Sequence, residues 1–155
     1  MSTYQRINVS APIYHRGEAR PVLTGRQRVR VKEMSNNKGY KKLKIWERAH
    51  VLATEVYKVT MGFPKEELYG ITSQIRRAAF SVPLNITEGQ ASSSKKEFLS
   101  FLNIANRSLV ETEYLLEACL ALGFLGKQDY ERLDVLRYET GILLYAFIKS
   151  LRLKL

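Results

Sequence analysis

An all-α fold, an antiparallel up-down four-helix bundle, is what this chain predicts, and three observations carry the prediction. Apolar residues recur at alternating spacings of three and four in four separate segments downstream of residue 42. Each segment is roughly 20 residues long, about 30 Å as a helix, and short connections join them, which favours antiparallel neighbours. The chain has 155 residues, 45% of them hydrophobic, enough for one ordinary domain core and too few for two large ones.

The first helix is expected from Leu43 to Met61, with Ile45, Ala49, Leu52, Val56 and Val59 on one face. Gly62-Phe63-Pro64 ends it, because proline disfavours a helical residue before it and cannot donate to the ladder. The second helix is expected to begin near Lys65, with Glu66 and Glu67 favouring its N-terminal dipole. Leu68, Ile71, Ile75, Ala78, Val82 and Ile86 form its stripe. Pro83 predicts a kink or an early break, and Gly89 a C-terminal stop. Ser94-Lys95-Lys96-Glu97 is a capping box that opens the third helix. Phe98, Leu102, Ala105, Leu109, Thr112, Leu116 and Cys119 then give the cleanest heptad in the chain, closed by Gly123 as a left-handed C′ residue. The fourth helix runs from about Lys127 to Leu153 on Leu133, Leu136, Thr140, Leu143, Phe147 and Leu151.

Charge divides the chain differently. The net charge is +10, but residues 1–44 hold 11 Lys/Arg against two acids, and residues 45–155 hold 14 against 13. The first segment also carries prolines and glycines without helical period. Residues 1–40 therefore read as a basic, mostly extended or disordered segment, and 41–155 as the bundle. The alternation Arg26-Gln27-Arg28-Val29-Arg30-Val31-Lys32 suits a short strand but has no evident pairing partner. No apolar leader follows Met1, and no stretch between charged residues exceeds the ten positions from Ala78 to Thr87. A bilayer-spanning helix needs about 20 apolar residues, so a cytoplasmic, reducing setting is expected. In that setting the single cysteine, Cys119, is a small core residue.

Two helices carry more apolar surface than one core needs. The fourth has a second stripe, Val135, Tyr138, Ile142 and Tyr145; the first has a partial one, Trp46, Ala53, Tyr57 and Thr60. Apolar surface beyond one stripe per helix points to another protein surface. Self-association is the economical expectation, with Trp46, Tyr57, Val135, Tyr138, Ile142 and Tyr145 as candidate interface residues.

Phe63-Pro64-Lys65-Glu66-Glu67-Leu68-Tyr69-Gly70-Ile71-Thr72-Ser73-Gln74-Ile75-Arg76-Arg77-Ala78-Ala79, continued by Ser81-Val82-Pro83-Leu84-Asn85-Ile86-Thr87-Glu88-Gly89, resembles the signature of the four-helix-bundle proteins encoded in 23S rRNA intervening sequences. Glu97-Phe98-Leu99, Ile104-Ala105, Ser108-Leu109 and Glu111 to Glu117 resemble the family's next helix. The likeness spans about 43–153. Arg107 departs from it, standing where a small residue is expected before the serine. The resemblance implies a homo-oligomer, a pentamer. It also implies kinship with the accessory bundle protein of diversity-generating retroelements, which contacts nucleic acid and a reverse transcriptase. No biochemical activity comes with it. Met34-Ser35-Asn36-Asn37-Lys38-Gly39-Tyr40 leads into the first helix as a family member's own start would. Residues 1–33 are accordingly expected to be an extension or an upstream start.

Chemistry-bearing motifs are sparse. Glu47-Arg48-Ala49-His50 is half of a di-iron ligand set, and the only other histidine, His15, lies outside any such pattern. Ser92-Ser93-Ser94 has no nucleophile elbow, and no glycine-rich phosphate loop is present. Neither catalysis nor a metal or cofactor is expected. Gln74, Arg77, Ser81, Asn85 and Glu88 form a polar stripe on the second helix, read as a structural contact in preference to a partner-facing strip. Arg76, one position off, is read as solvent-facing. Arg26, Arg28, Arg30, Lys32, Lys38, Lys41, Lys42 and Lys44 can neutralise phosphates, with Tyr40 for stacking, so these and Arg76 are the candidate nucleic-acid contacts. The function expected is a non-enzymatic, oligomeric accessory protein that binds RNA or DNA. The alternative is a protein-interaction scaffold without nucleic-acid affinity.

Overall fold

Residues 24–26 and 39–155 are described by the structure, a computed structural model of the chain. A 3-10 turn at Gly39–Lys42 leads into α1 (Lys44–Thr60). A second 3-10 turn at Lys65–Glu67 precedes α2 (Ile71–Gln90), and α3 (Lys95–Ala121) and α4 (Lys127–Arg152) complete the chain. The helices alternate in direction, α1 packing on α2 and α4, and α3 on α2 and α4. This is the expected up-down four-helix bundle, and its compact unit begins at Gly39.

The core tracks the heptads closely. Ile45, Ala49, Leu52 and Val56 of α1, Ile75, Ala78, Val82 and Ile86 of α2, and Leu102 to Cys119 of α3 are buried at their expected positions. Each large aliphatic side chain so buried contributes about 1.5–3 kcal/mol. The α4 seam is rotated from the expected one. Leu133, Thr140, Leu144 and Ile148 are buried there, whereas Leu136, Leu143, Phe147 and Leu151 are only partly covered. On α1, Ala53 and Thr60 also belong to the interior, so the second stripe expected on that helix is in part core.

Three local expectations are corrected. The α-helix after Pro64 starts at Ile71, not near Lys65, because Gly70 breaks the backbone between the 3-10 turn and the helix. Glu67 still serves the N-terminus of α2, its Oε2 accepting from the Ile71 amide at 3.4 Å. Pro83 does not end α2, which runs uninterrupted to Gln90 with the proline buried. Polar side chains bond a carbonyl before it and its own: Asn85 Nδ2 donates to Ser81 O at 2.8 Å, and Thr87 Oγ1 to Pro83 O at 2.9 Å. Gly89 is not a stop either. It is buried inside the last turn, and a Cβ there would meet Phe98 Cδ2 at 2.6 Å and Phe101 Cβ at 2.8 Å. The missing side chain lets α2 and α3 approach.

The helix ends of α3 are as expected in kind. Ser94 Oγ accepts from the Glu97 amide at 3.1 Å, and Glu97 Oε2 accepts from the Ser93 amide at 3.2 Å, one residue earlier than the usual box. Gly123 has φ of +75°. The chain turns there so that the Phe124 and Leu125 amides both donate to Cys119 O, at 3.0 and 3.1 Å. Among the described residues, no helix is long and apolar enough to cross a membrane.

Candidate nucleic-acid interface

Alternating helix direction places the start of α1 and α3 and the end of α2 and α4 at one end of the bundle. Local contacts fix the junctions. Gly39 packs against the Gln90 side chain, Lys95 Nζ donates to Lys154 O at 3.4 Å, and a groove joins Lys42 to Ile45 with Leu143, Phe147 and Ser150. Lys41, Lys42 and Lys44 therefore share this end with Lys95 and Lys96 of α3 and with Lys149, Arg152 and Lys154 of α4. All eight are exposed. The acids nearest this end are Glu47, Glu88 and Glu97. The opposite end carries Glu66, Glu67, Glu117, Asp129 and Glu131 beside Lys65 and Lys127. The near-neutral bundle is thus a charge dipole with one basic end. Helix dipoles do not create it, since two N-termini and two C-termini meet there; the lysines and arginines do.

Of the expected contacts, Lys41, Lys42 and Lys44 stand on this basic end and Arg26 is exposed, whereas Arg28, Arg30, Lys32 and Lys38 lie outside the described residues. Tyr40 is half-buried, edge-on to Trp46 at 5.0 Å, and Trp46 stacks on His50 at 5.0 Å. Arg76 is corrected: it is half-buried, not solvent-facing. Its Nε donates to Thr60 Oγ1 at 2.7 Å, and its guanidinium lies 4.2 Å from the Tyr57 ring centroid. It ties α2 to α1. Lys95, Lys96, Lys149, Arg152 and Lys154, which sequence reasoning did not single out, stand at the same end. Their signal was present, since the up-down topology alone assigns each helix terminus to an end.

The apolar candidates divide by helix. Val135, Tyr138, Ile142 and Tyr145 are 57%, 59%, 52% and 68% exposed, a continuous strip along the outside of α4. Trp46 is instead partly covered by its own chain, and Tyr57 is flanked by Arg76 and, edge-on at 6.2 Å, by Phe80. The flanks of α1, α3 and α4 carry ion pairs. Arg132 bridges Glu55 and Asp129, Arg137 reaches Glu113 at 3.2 Å, and Arg48 reaches Glu139 at 3.5 Å. The hydrogen bonds from Lys58 and then Arg132 hold the Glu55 carboxyl below its ordinary range. Of the polar stripe on α2, Ser81 Oγ accepts from Ser108 Oγ at 2.9 Å, a contact between helices of one chain. Gln74, Arg77 and Glu88 are exposed. Among the described residues, no group of three or more His, Cys, Asp or Glu is placed to hold a metal.

The class that these observations define is an all-α, up-down four-helix-bundle protein with one basic end and an exposed apolar strip. The chain belongs to the 23S rRNA-intervening sequence protein family, whose model matches residues 41–146. Among solved structures it is similar to a Bacteroides thetaiotaomicron VPI-5482 protein from the S23 ribosomal protein family, described as of unknown function and determined at 1.70 Å resolution. The two are 26% identical with a TM-score of 0.64, over 68% of this chain and 95% of that one. No curated protein sequence matches the chain.

Proposed function

We propose that the protein is a non-enzymatic, homo-oligomeric accessory that holds RNA or DNA through phosphate contacts at the basic end of the bundle. The convergence of exposed cations from α1, α3 and α4 on one end carries this reading. The family name, which refers to an intervening sequence in 23S rRNA, favours RNA. Binding of this kind is salt-dependent and indifferent to sequence, because each neutralised phosphate releases counterions.

The test is fluorescence anisotropy of labelled RNA and DNA, read at several salt concentrations. The expected result is affinity that falls steeply with salt. The slope of log K on log salt should become about three units shallower in the combined variant K95A/K96A/K149A/R152A. No binding at low salt, or binding that these four substitutions leave unchanged, refutes the reading.

The exposed α4 strip favours a second reading, a scaffold that docks protein. In either reading α4 supplies the contact between copies, and the resemblance to pentameric bundle proteins favours five. Sedimentation should show one assembled species that dissociates when Tyr138 and Ile142 are both replaced by aspartate. An assembled protein that binds no nucleic acid would support the scaffold, and a reverse transcriptase is then the first protein partner to try.

A further inference from the structure

The basic end also holds a cleft. Between the outer edges of α3 and α4 lies an open depression of about 450 Å³, lined by Asn103 and Asn106 from α3 and by Tyr145, Ile148, Lys149 and Arg152 from α4. The spacings explain the convergence: a step of three separates the asparagines, and steps of four and three separate Tyr145, Lys149 and Arg152, so each set shares one helix face. Ile148 is buried and forms an apolar floor, while Tyr145 stands largely exposed at the wall. The volume falls within the roughly 300–1,000 Å³ span of small-ligand sites.

The polar side chains of the cleft are unspent. Arg48, Arg132 and Arg137 on the flanks are each held by an acid. Among the described residues, no hydrogen bond or ion pair engages the side chains of Asn103, Asn106, Lys149 or Arg152, and no ring contact engages Tyr145. One aromatic face, two amides each offering a donor and an acceptor, and two cations therefore surround a single depression. An acidic peptide would use the cations but leave the ring and the amide pairs idle. A nucleotide uses all of them: its base has a face to stack and an edge of adjacent donors and acceptors, and its flanking phosphates carry charge. In a duplex both the face and the edge are occupied by stacking and pairing.

We propose that this cleft seats one unpaired nucleotide of a single-stranded nucleic acid. The base lies against Tyr145 and Ile148, its edge on Asn103 and Asn106, and its phosphates on Lys149 and Arg152. The proposal rests on the nucleic-acid reading above and narrows its substrate class from any polyanion to a single strand. Tyr145 then ends the apolar strip of α4 at the basic end, leaving Val135, Tyr138 and Ile142 for contact between copies.

The experiment measures anisotropy of the full-length protein with 12-nucleotide homopolymers of RNA and of DNA and with 12-base-pair duplexes. Sedimentation of the same samples is run in parallel. Single strands should bind more tightly than duplexes, and the RNA and DNA arms report which sugar is preferred. Y145A should weaken single-strand binding about ten-fold or more, leave duplex binding unchanged, and be rescued by Y145F. N103A/N106A should erase differences among the homopolymers. Equal losses for strand and duplex in Y145A, no loss, or displacement of the strand by polyglutamate at equal charge would overturn the cleft. So would loss of binding accompanied by dissociation of the assembly, which would assign Tyr145 to the contact between copies. If the unaltered protein binds none of the probes, the nucleic-acid reading falls with the cleft. If it binds them and only the variants disagree, the cleft alone falls.

Discussion

Gly89 shows how one missing side chain sets a distance between helices. Phe98 and Phe101 of α3 occupy the space that a Cβ would need, at 2.6 and 2.8 Å, closer than real Cβ contacts allow. Phe98 is itself packed on Phe147 at 5.6 Å between ring centroids, so it has little room to retreat. Gly89→Ala is expected to destabilise the protein by about 1–3 kcal/mol despite the better helix propensity of alanine. Urea denaturation checks this, and an unchanged midpoint would show that the rings yield freely. Cys119 makes a second case at this scale. Burial, reinforced by the charge of Glu67, pushes its thiol up to about 11. The proton is thus held more firmly in the folded state than in the unfolded one, whose thiol has its ordinary value near 9.0. The stability this contributes is complete below that ordinary value and is lost as pH rises toward 11. Stability of Cys119→Ala should fall less over this interval than that of the unaltered protein, by denaturation at pH 8, 9, 10 and 11. A thiol reagent at neutral pH should label Cys119 only after unfolding.

Among the elements, α1 and α2 are joined by a polar clasp that periodicity does not reveal. Arg76 bonds Thr60 and covers Tyr57; spacing marks Arg76 as off the apolar stripe, and a long cationic side chain reads as solvent-facing by default. Only the neighbouring helix supplies the hydroxyl and the ring that draw it inward. Arg76→Ala should cost about 1–2 kcal/mol by losing both contacts, with no change in the salt slope of nucleic-acid binding. A lowered slope would return Arg76 to the binding surface. The same scale explains the other departures. The third helix was legible because its seam holds a strict alternation of three and four, and its cap and Gly123 turn have side chains that announce them. The α4 seam was not, because its sequence offers two adjacent apolar choices in each late turn, Leu143 or Leu144 and Phe147 or Ile148, and only packing on α1 and α3 decides between them. Leu144 and Ile148 enter the core, and Leu143 and Phe147 are only partly covered. Pro83 misled because its burial in the uninterrupted helix is a tertiary contribution that spacing cannot weigh against the local penalty.

At the scale of the whole molecule, the net charge of +10 has two sources that call for different experiments. Residues 1–33 hold seven basic and two acidic residues, and residues 34–155 hold 18 and 13. Summed by sequence, the bundle looks too near neutrality to attract a polyanion. Sorted by helix terminus, its cations collect at one end and many of its acids at the other, so the field at the basic end is far stronger than the sum suggests. A chain starting at Met34 keeps Lys38, Lys41, Lys42 and Lys44 as well as every basic-end residue of α3 and α4. It is therefore expected to fold, to bind single strands, and to retain the loss on Y145A. Its salt slope should be shallower than that of the full chain only if the extension also touches phosphate, at about 0.7–0.9 units per contact. Parallel salt titrations of the two forms measure this directly. Equal slopes would place all binding on the bundle. Complete loss in the Met34 form would place it in the extension and leave the basic end without a ligand.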